Sequence, residues 1–140
     1  MRINTNIRYG LRTIMEIANS TEPNGVLQKD ISKNQNISLK YLDSIISSLK
    51  LKGLIVNIKG KGSGYRLTRP PNEITMWDVY TTFEPIIVVD CINNKDVCNR
   101  SGDCKAKDYW CEFKQEFREI LLKKNLAQII QETIKKNEND

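Results

Sequence analysis

The stretch that most restricts the fold is residues 38–68, SLKYLDSIISSLKLKGLIVNIKGKGSGYRLT. Leu42, Ile45, Ile46 and Leu49 recur at three- and four-residue intervals, so they share one face of a helix. Ser38 stands before that run, where a hydroxyl accepts an otherwise unpaired backbone N–H. Gly53 stands after it, where helices end in left-handed backbone. The outward face is then Lys40, Tyr41, Asp43, Ser44, Ser47 and Lys50. Two short runs, 54–58 and 65–68, flank a tip containing Gly60, Gly62 and Gly64, which predicts a β-hairpin.

Upstream, Ile7, Leu11, Ile14 and Ala18 predict an amphipathic helix from about residue 4 to about residue 19. TEPNG ends it, VLQ reads as a minimal strand, and KDISKNQN (29–36) as a short polar helix with Ile31 turned inward. Pro70 and Pro71 close the unit. Helix, turn, short helix, tight turn, helix and hairpin, in that order, make a winged helix-turn-helix domain over residues 1–72.

Charge agrees with that reading. Residues 1–72 hold 12 Lys/Arg against 4 Asp/Glu, a net +8, while residues 73–140 hold 10 against 13, a net −3. A basic front half is the electrostatic footprint of a nucleic-acid binder, and the partner read here is double-stranded DNA. The N-terminal part of a recognition helix faces base edges in the major groove, which here means Ser38, Leu39, Lys40, Tyr41, Asp43 and Ser44. Asp43 is repelled by phosphates, so it costs affinity unless it accepts from a cytosine amino group. The hairpin tip adds Lys59, Lys61, Gly62, Ser63, Gly64, Tyr65 and Arg66, small and basic enough to follow a narrow groove. It is not a phosphate-binding loop, because no Gly-Lys-Ser/Thr ends it and no helix N-terminus follows it.

Residues 73–140 read as a second unit. TMWDVYTTFE predicts a short helix opened by Thr75 and Asp78 as a capping box. Residues 86–104 read as loop. Trp110, Phe113, Phe117, Ile120 and Leu121 fall at helical spacing on a long helix over about 105–124, and an aromatic seam of this kind predicts a second copy of the chain as partner. Leu126, Ile129, Ile130 and Ile134 form a last amphipathic helix, and NEND a polar tail. The fold class is mainly α with a small β-hairpin, a winged helix-turn-helix domain plus a long dimerisation helix.

All 4 cysteines, Cys91, Cys98, Cys104 and Cys111, fall in the back half, and the chain has no histidine. That removes His-based nucleophilic catalysis and Cys2His2 zinc chemistry, and the chain is read as no enzyme. The N-terminus has no apolar signal-type run and the longest strongly apolar run is PIIVV, so the chain is read as cytoplasmic, without a membrane partner. There, clustered cysteines are not a structural disulfide framework. Cys91-x6-Cys98-x5-Cys104 lacks the paired CxxC of structural zinc. Soft thiolates on a flexible loop surrounded by Lys95, Arg100, Lys105 and Lys107 suit an iron–sulfur cluster first, a thiol redox switch second and zinc third.

Taken in order, MRINTNIRYGLR, ISLKYLDSIISSLKLKGLI, GKGSGYRL, TMWDVYTTFE and the three-cysteine loop resemble the IscR/NsrR-type winged-helix transcription regulators nearly end to end, most of all their IscR-like members. The resemblance implies a homodimer paired through its long helices, and a 2Fe–2S or 4Fe–4S cluster held by Cys91, Cys98 and Cys104. It implies that cluster state, and so iron–sulfur, redox or nitric oxide status, changes which promoters are bound. Asp43 matches a position where IscR carries Glu, read as discriminating two classes of DNA site. The sequence also departs from the pattern. Six residues separate the first two cysteines where many members have five, Lys107 stands where IscR has a ligand histidine, and Arg8 stands where NsrR-type chains have an acidic ligand. The fourth ligand is therefore Asp108, Cys111 or a small exogenous group. Two rivals remain: a cluster-free thiol sensor or cysteine-metabolism repressor of the same fold, and a zinc-binding protein-interaction adaptor.

Overall fold

The computed structural model describes residues 2–100 and 102–140, without the side chains of residues 93 and 95. Its elements run α1 (Thr5–Asn19), α2 (Gln28–Gln35), α3 (Leu39–Leu51), β1 (Ile55–Asn57), β2 (Tyr65–Leu67), α4 (Met76–Phe83), α5 (Asp90–Asn93), α6 (Lys105–Lys123) and α7 (Leu126–Asn139). Single 3-10 turns occupy Pro71–Glu73 and Lys95–Val97. This is the winged helix-turn-helix with helical extension that the sequence predicts.

The helix starts follow from local chemistry. Asn4 caps α1 by accepting from the Ile7 N–H at 2.9 Å, and its amide also donates to the Glu84 carboxylate at the end of α4. Ser38 caps α3 by accepting from the Tyr41 N–H at 3.2 Å. Gly53 follows α3 at φ 83°, the left-handed position at which a helix is stopped. Asn36, at φ 53°, makes the tight turn between α2 and α3. Thr75 and Asp78 form a reciprocal capping box on α4, and Asn125 and Gln128 a second on α7.

The two strands pair antiparallel, Ile55 opposite Leu67 and Asn57 opposite Tyr65. The strand expected at VLQ is reduced to one bridge, Val26 to Tyr65. Ile14 and Ile17 of α1, Ile31 of α2, and Leu42, Ile45, Ile46 and Leu49 of α3 form the core with Leu54 and Ile55. Ile74, Val79 and Leu126 complete the same core, so the back half of the chain also seals the front. The Leu126 N–H donates to the Ile74 carbonyl at 2.8 Å and the Met76 N–H to the Lys124 carbonyl at 3.1 Å, which fastens α7 beside α4. Gly10 lets α1 and α4 approach: a Cβ there would stand 2.2 Å from the Phe83 ring.

Three further details differ from the sequence reading. Residues 86–104 contain α5 and a 3-10 turn as well as loop. Asn137, Glu138 and Asn139 of the expected tail continue α7, because polar residues carry an exposed helix once its first turns are capped. The α6 stripe divides between two environments: Leu121 is buried with Ile7, Tyr80 and Ile86, with Phe117 packed against them, whereas Ile120 faces solvent.

Candidate nucleic-acid interface and cysteine segment

The buried stripe of α3 fixes its outward face. Leu42, Ile45, Ile46 and Leu49 point into the core, so Ser38, Leu39, Lys40, Asp43 and Ser44 are exposed, and Tyr41 half-buried. Leu39 is 52% exposed, an apolar contact surface at the first residue of the helix. Two of these side chains are held by other helices. The Tyr41 hydroxyl donates to Asn6, and its ring meets Tyr9 edge-on at 5.3 Å between centroids. The Asp43 carboxylate accepts from the Gln28 amide of α2. No apolar spacing marks Asn6, Tyr9 or Gln28 as neighbours of α3, and only the packing of α1 and α2 against it brings them here.

The wing divides into a free tip and a fixed base. Gly60 (φ 124°) and Gly62 (φ 78°) take backbone that L side chains rarely adopt, while Lys59, Lys61 and Arg66 are exposed. Gly64 is different. It is buried, and a Cβ there would stand 2.2 Å from the Val26 carbonyl oxygen. Its N–H donates to the Asn24 carbonyl at 2.7 Å, and Val26 and Tyr65 exchange two bonds of 2.9 Å each. Gly64 therefore lets the wing close on the chain's own α1–α2 connection. Tyr65, half-buried, packs against the core with the Lys50 ammonium 5.9 Å from its ring centre.

The cysteines lie on three elements in contact. Cys91 is in α5, Cys98 follows the 3-10 turn Lys95–Val97, and Cys104 immediately precedes α6; α5 packs against both that turn and α6. All three are half-buried free thiols, and Cys111 is an exposed one. Among the described residues no three Cys, Asp or Glu side chains converge closely enough to hold a metal ion. The donor set, three free thiols on α5, after the 3-10 turn and at the start of α6, fits a soft thiophilic metal or cluster in its chemistry. Asp108 lies in the first turn of α6, one turn beyond Cys104; Cys111 lies a further turn away.

Farther along α6, Tyr109 and Trp110 meet edge-on at 5.1 Å, and Trp110 and Phe113 at 6.1 Å. Tyr109 is 60%, Ile120 66% and Leu122 41% exposed; Tyr109 and Ile120 fall on one side of the helix, with Leu122 on the other side of buried Leu121. On its inner face Phe117 meets the Tyr80 ring at 5.6 Å. Burial, and then the neighbouring Glu84 charge, push the Tyr80 hydroxyl above its ordinary pKa of 10.0. A cleft of about 650 Å³ lies away from the α3 face, between α1, α2 and α7. No helix among the described residues is long and apolar enough to cross a membrane.

Comparison with known proteins agrees with this geometry. The chain is 27% identical over 130 residues to the HTH-type transcriptional regulator IscR of Serratia proteamaculans, covering 93% of this chain and 79% of that one. The structure of T. potens IscR shares the fold, with a TM-score of 0.76, 24% identity and coverage of 95% of this chain and 88% of that one. CymR, the global cysteine regulator of B. subtilis, aligns with a TM-score of 0.74 at 26% identity, over 94% of this chain and 97% of that one. These relatives are transcription regulators and not enzymes. A family model described as Rrf2, iron-dependent transcriptional regulator, matches residues 3–132, and with a recognition helix, a wing and a cysteine segment in that order, this chain belongs to the Rrf2 family of transcription regulators.

Proposed function

We propose that this regulator binds duplex DNA as a homodimer and senses iron–sulfur or redox status through a cluster held by Cys91, Cys98 and Cys104. The observation that carries the DNA half is the pairing of an exposed α3 face with free basic groups: Lys40, Lys59 and Lys61 make no ion pair among the described residues. Ser38, Leu39, Lys40, Tyr41, Asp43 and Ser44 meet the major groove, where base-edge contacts specify. Lys59, Lys61, Gly62, Ser63 and Arg66 follow the adjacent backbone or groove, where charge supplies affinity. Gly64 and Tyr65 hold that tip in place.

The cysteine half rests on the donor set and on the relatives named IscR. An iron–sulfur cluster, when bound, supplies one-electron chemistry and reactivity toward oxidants. The thiolates of Cys91, Cys98 and Cys104 bind it. With α6 beginning at Lys105, Asp108 is the easier fourth ligand, since Cys111 lies about 10 Å along the axis from Cys104. Rearrangement of residues 86–104 reaches the recognition helix through packed neighbours: α5 on α6, α6 on α4, and α4 on α3. In a dimer paired through the outer face of α6, that route changes the separation of the two α3 helices, and half-site spacing is geometrically strict.

A second reading, a thiol-sensing or cysteine-responsive repressor without a cluster, is supported by the likeness to CymR. Anaerobic purification with an absorption spectrum and an iron and sulfide assay separates the two. The cluster reading expects coloured protein with acid-labile sulfide, abolished by Cys98→Ala, with altered DNA binding. Colourless protein lacking sulfide after anaerobic reconstitution sinks it and favours the thiol reading. Duplex binding that falls steeply with salt is expected in either case.

A further inference from the structure

Asp43 is the one carboxylate on the outward face of α3, and Gln28 is the side chain that holds it. Gln28 is the first residue of α2 and half-buried. Its Nε2 donates to Asp43 Oδ1 and to the Leu39 carbonyl at 3.4 Å. A primary amide has two N–H donors, so both are committed to α3. A carboxylate can accept at both of its oxygens, and the second oxygen of Asp43 has no bond among the described residues. The result is an exposed carboxylate with one oxygen tied back to the helix-turn-helix scaffold and the other left as an acceptor.

We propose that Gln28 is a specificity-determining residue of the DNA interface, which positions Asp43 so that its free oxygen accepts from the amino group of a cytosine. This rests on the reading of α3 as the base-reading helix. Held in one rotamer, Asp43 loses little conformational freedom when it meets a base. Cytosine is the base that fits. In the major groove it presents an amino donor, whereas guanine and thymine present acceptors that repel a carboxylate, and adenine places its N7 acceptor beside its amino group. Without Gln28 the carboxylate samples several rotamers. It then still repels phosphate, but discriminates poorly among bases. Gln28 acts here as a positioning residue, through Asp43 and without touching DNA.

The test selects sites from a randomised duplex library with the full chain, purified anaerobically and also after cluster reconstitution. Binding is then measured on the selected site and on the same site with its critical C·G pair replaced by T·A. The wild-type chain is expected to prefer the cytosine site, and Asp43→Ala to lose that preference. Gln28→Leu, and Gln28→Asn, which is one methylene too short to reach, are expected to reduce it about threefold or more, through weaker binding of the cytosine site, with affinity for the T·A site and the thermal midpoint little changed. The double variant Gln28→Leu/Asp43→Ala is expected to behave as Asp43→Ala alone. Full retention of the preference in both Gln28 variants overturns the proposal. So does a Gln28 effect that persists in the Asp43→Ala background, because Gln28 would then be reading DNA itself. If the wild-type chain binds no duplex under any condition, the regulator reading falls and this assignment falls with it. If it binds duplex while Asp43→Ala keeps the full preference, only this assignment falls.

Discussion

At the residue scale, the glycines of the wing show how one residue type serves two purposes. Gly62 sits in open space and needs its freedom only for φ, whereas Gly64 needs the absence of a Cβ. Gly64→Ala should therefore cost about 1–3 kcal/mol of stability, because the Val26 backbone cannot step aside cheaply. A urea midpoint equal to wild type would show that the wing base is looser than this. Tyr80 carries a second residue-scale expectation. Its folded pKa lies above the ordinary 10.0, so as pH rises the unfolded chain releases its proton first. The stability is fully present below about pH 10 and is lost as pH climbs through the raised folded value. Chemical denaturation between neutral and strongly alkaline pH should show this decline, and Tyr80→Phe should flatten it. The spacing of apolar residues identified the buried stripe of α3, but it was silent on Gln28, Asn6 and Tyr9. These belong to other helices, and no periodicity encodes a contact between elements.

At the scale of elements, the proposed DNA complex divides the work of binding between the wing and α3. Lys59 and Lys61 are exposed on a tip whose fold depends on Gly60, Gly62 and the pinned base, and on neither lysine. Lys59→Ala/Lys61→Ala should leave the thermal midpoint nearly unchanged and weaken binding uniformly across sequences. The slope of log K against log salt should shrink by about one for each phosphate that the tip no longer neutralises. A change confined to sequence preference, with the slope intact, would mean the tip reads bases. The capping boxes at Thr75 and Asn125 lie in adjacent, bridged backbone, so the starts of α4 and α7 are set together. The Thr75 box was legible from the Thr-x-x-Asp pattern. The pairing of its backbone with Asn125, fifty residues on, was not.

At the scale of the whole molecule, α6 spends one face on the chain's own core and leaves apolar residues elsewhere exposed. Phe117 and Leu121 pack on Tyr80, Ile7 and Ile86, while Tyr109 and Ile120, which share a side of the helix, stay exposed. Ile120→Asp should convert the proposed dimer to monomer, read by light scattering after size exclusion, with helix content by circular dichroism retained. It should also lower affinity for a two-half-site duplex far more than for a single half-site. An unchanged mass would place the dimer seam elsewhere. The route from the cysteine segment to α3 is likewise a property of the assembled helices, since α4 touches α1, α3 and α6 at once.

The order of the helices and hairpin through α4, the caps at Ser38 and Thr75, the outward face of α3 and the clustering of cysteines were determined by the sequence alone. Each depends on interactions within a few residues of the chain, which spacing and side-chain type already specify. Tertiary structure decided which face of α6 is spent on the chain's own core, that Gly64 serves Val26, and that Asp43 is held by Gln28. Those outcomes depend on how separate elements meet, and that geometry follows from the joint packing of Ile14, Ile31, Leu49, Val79 and Leu126 in one core and not from any local pattern.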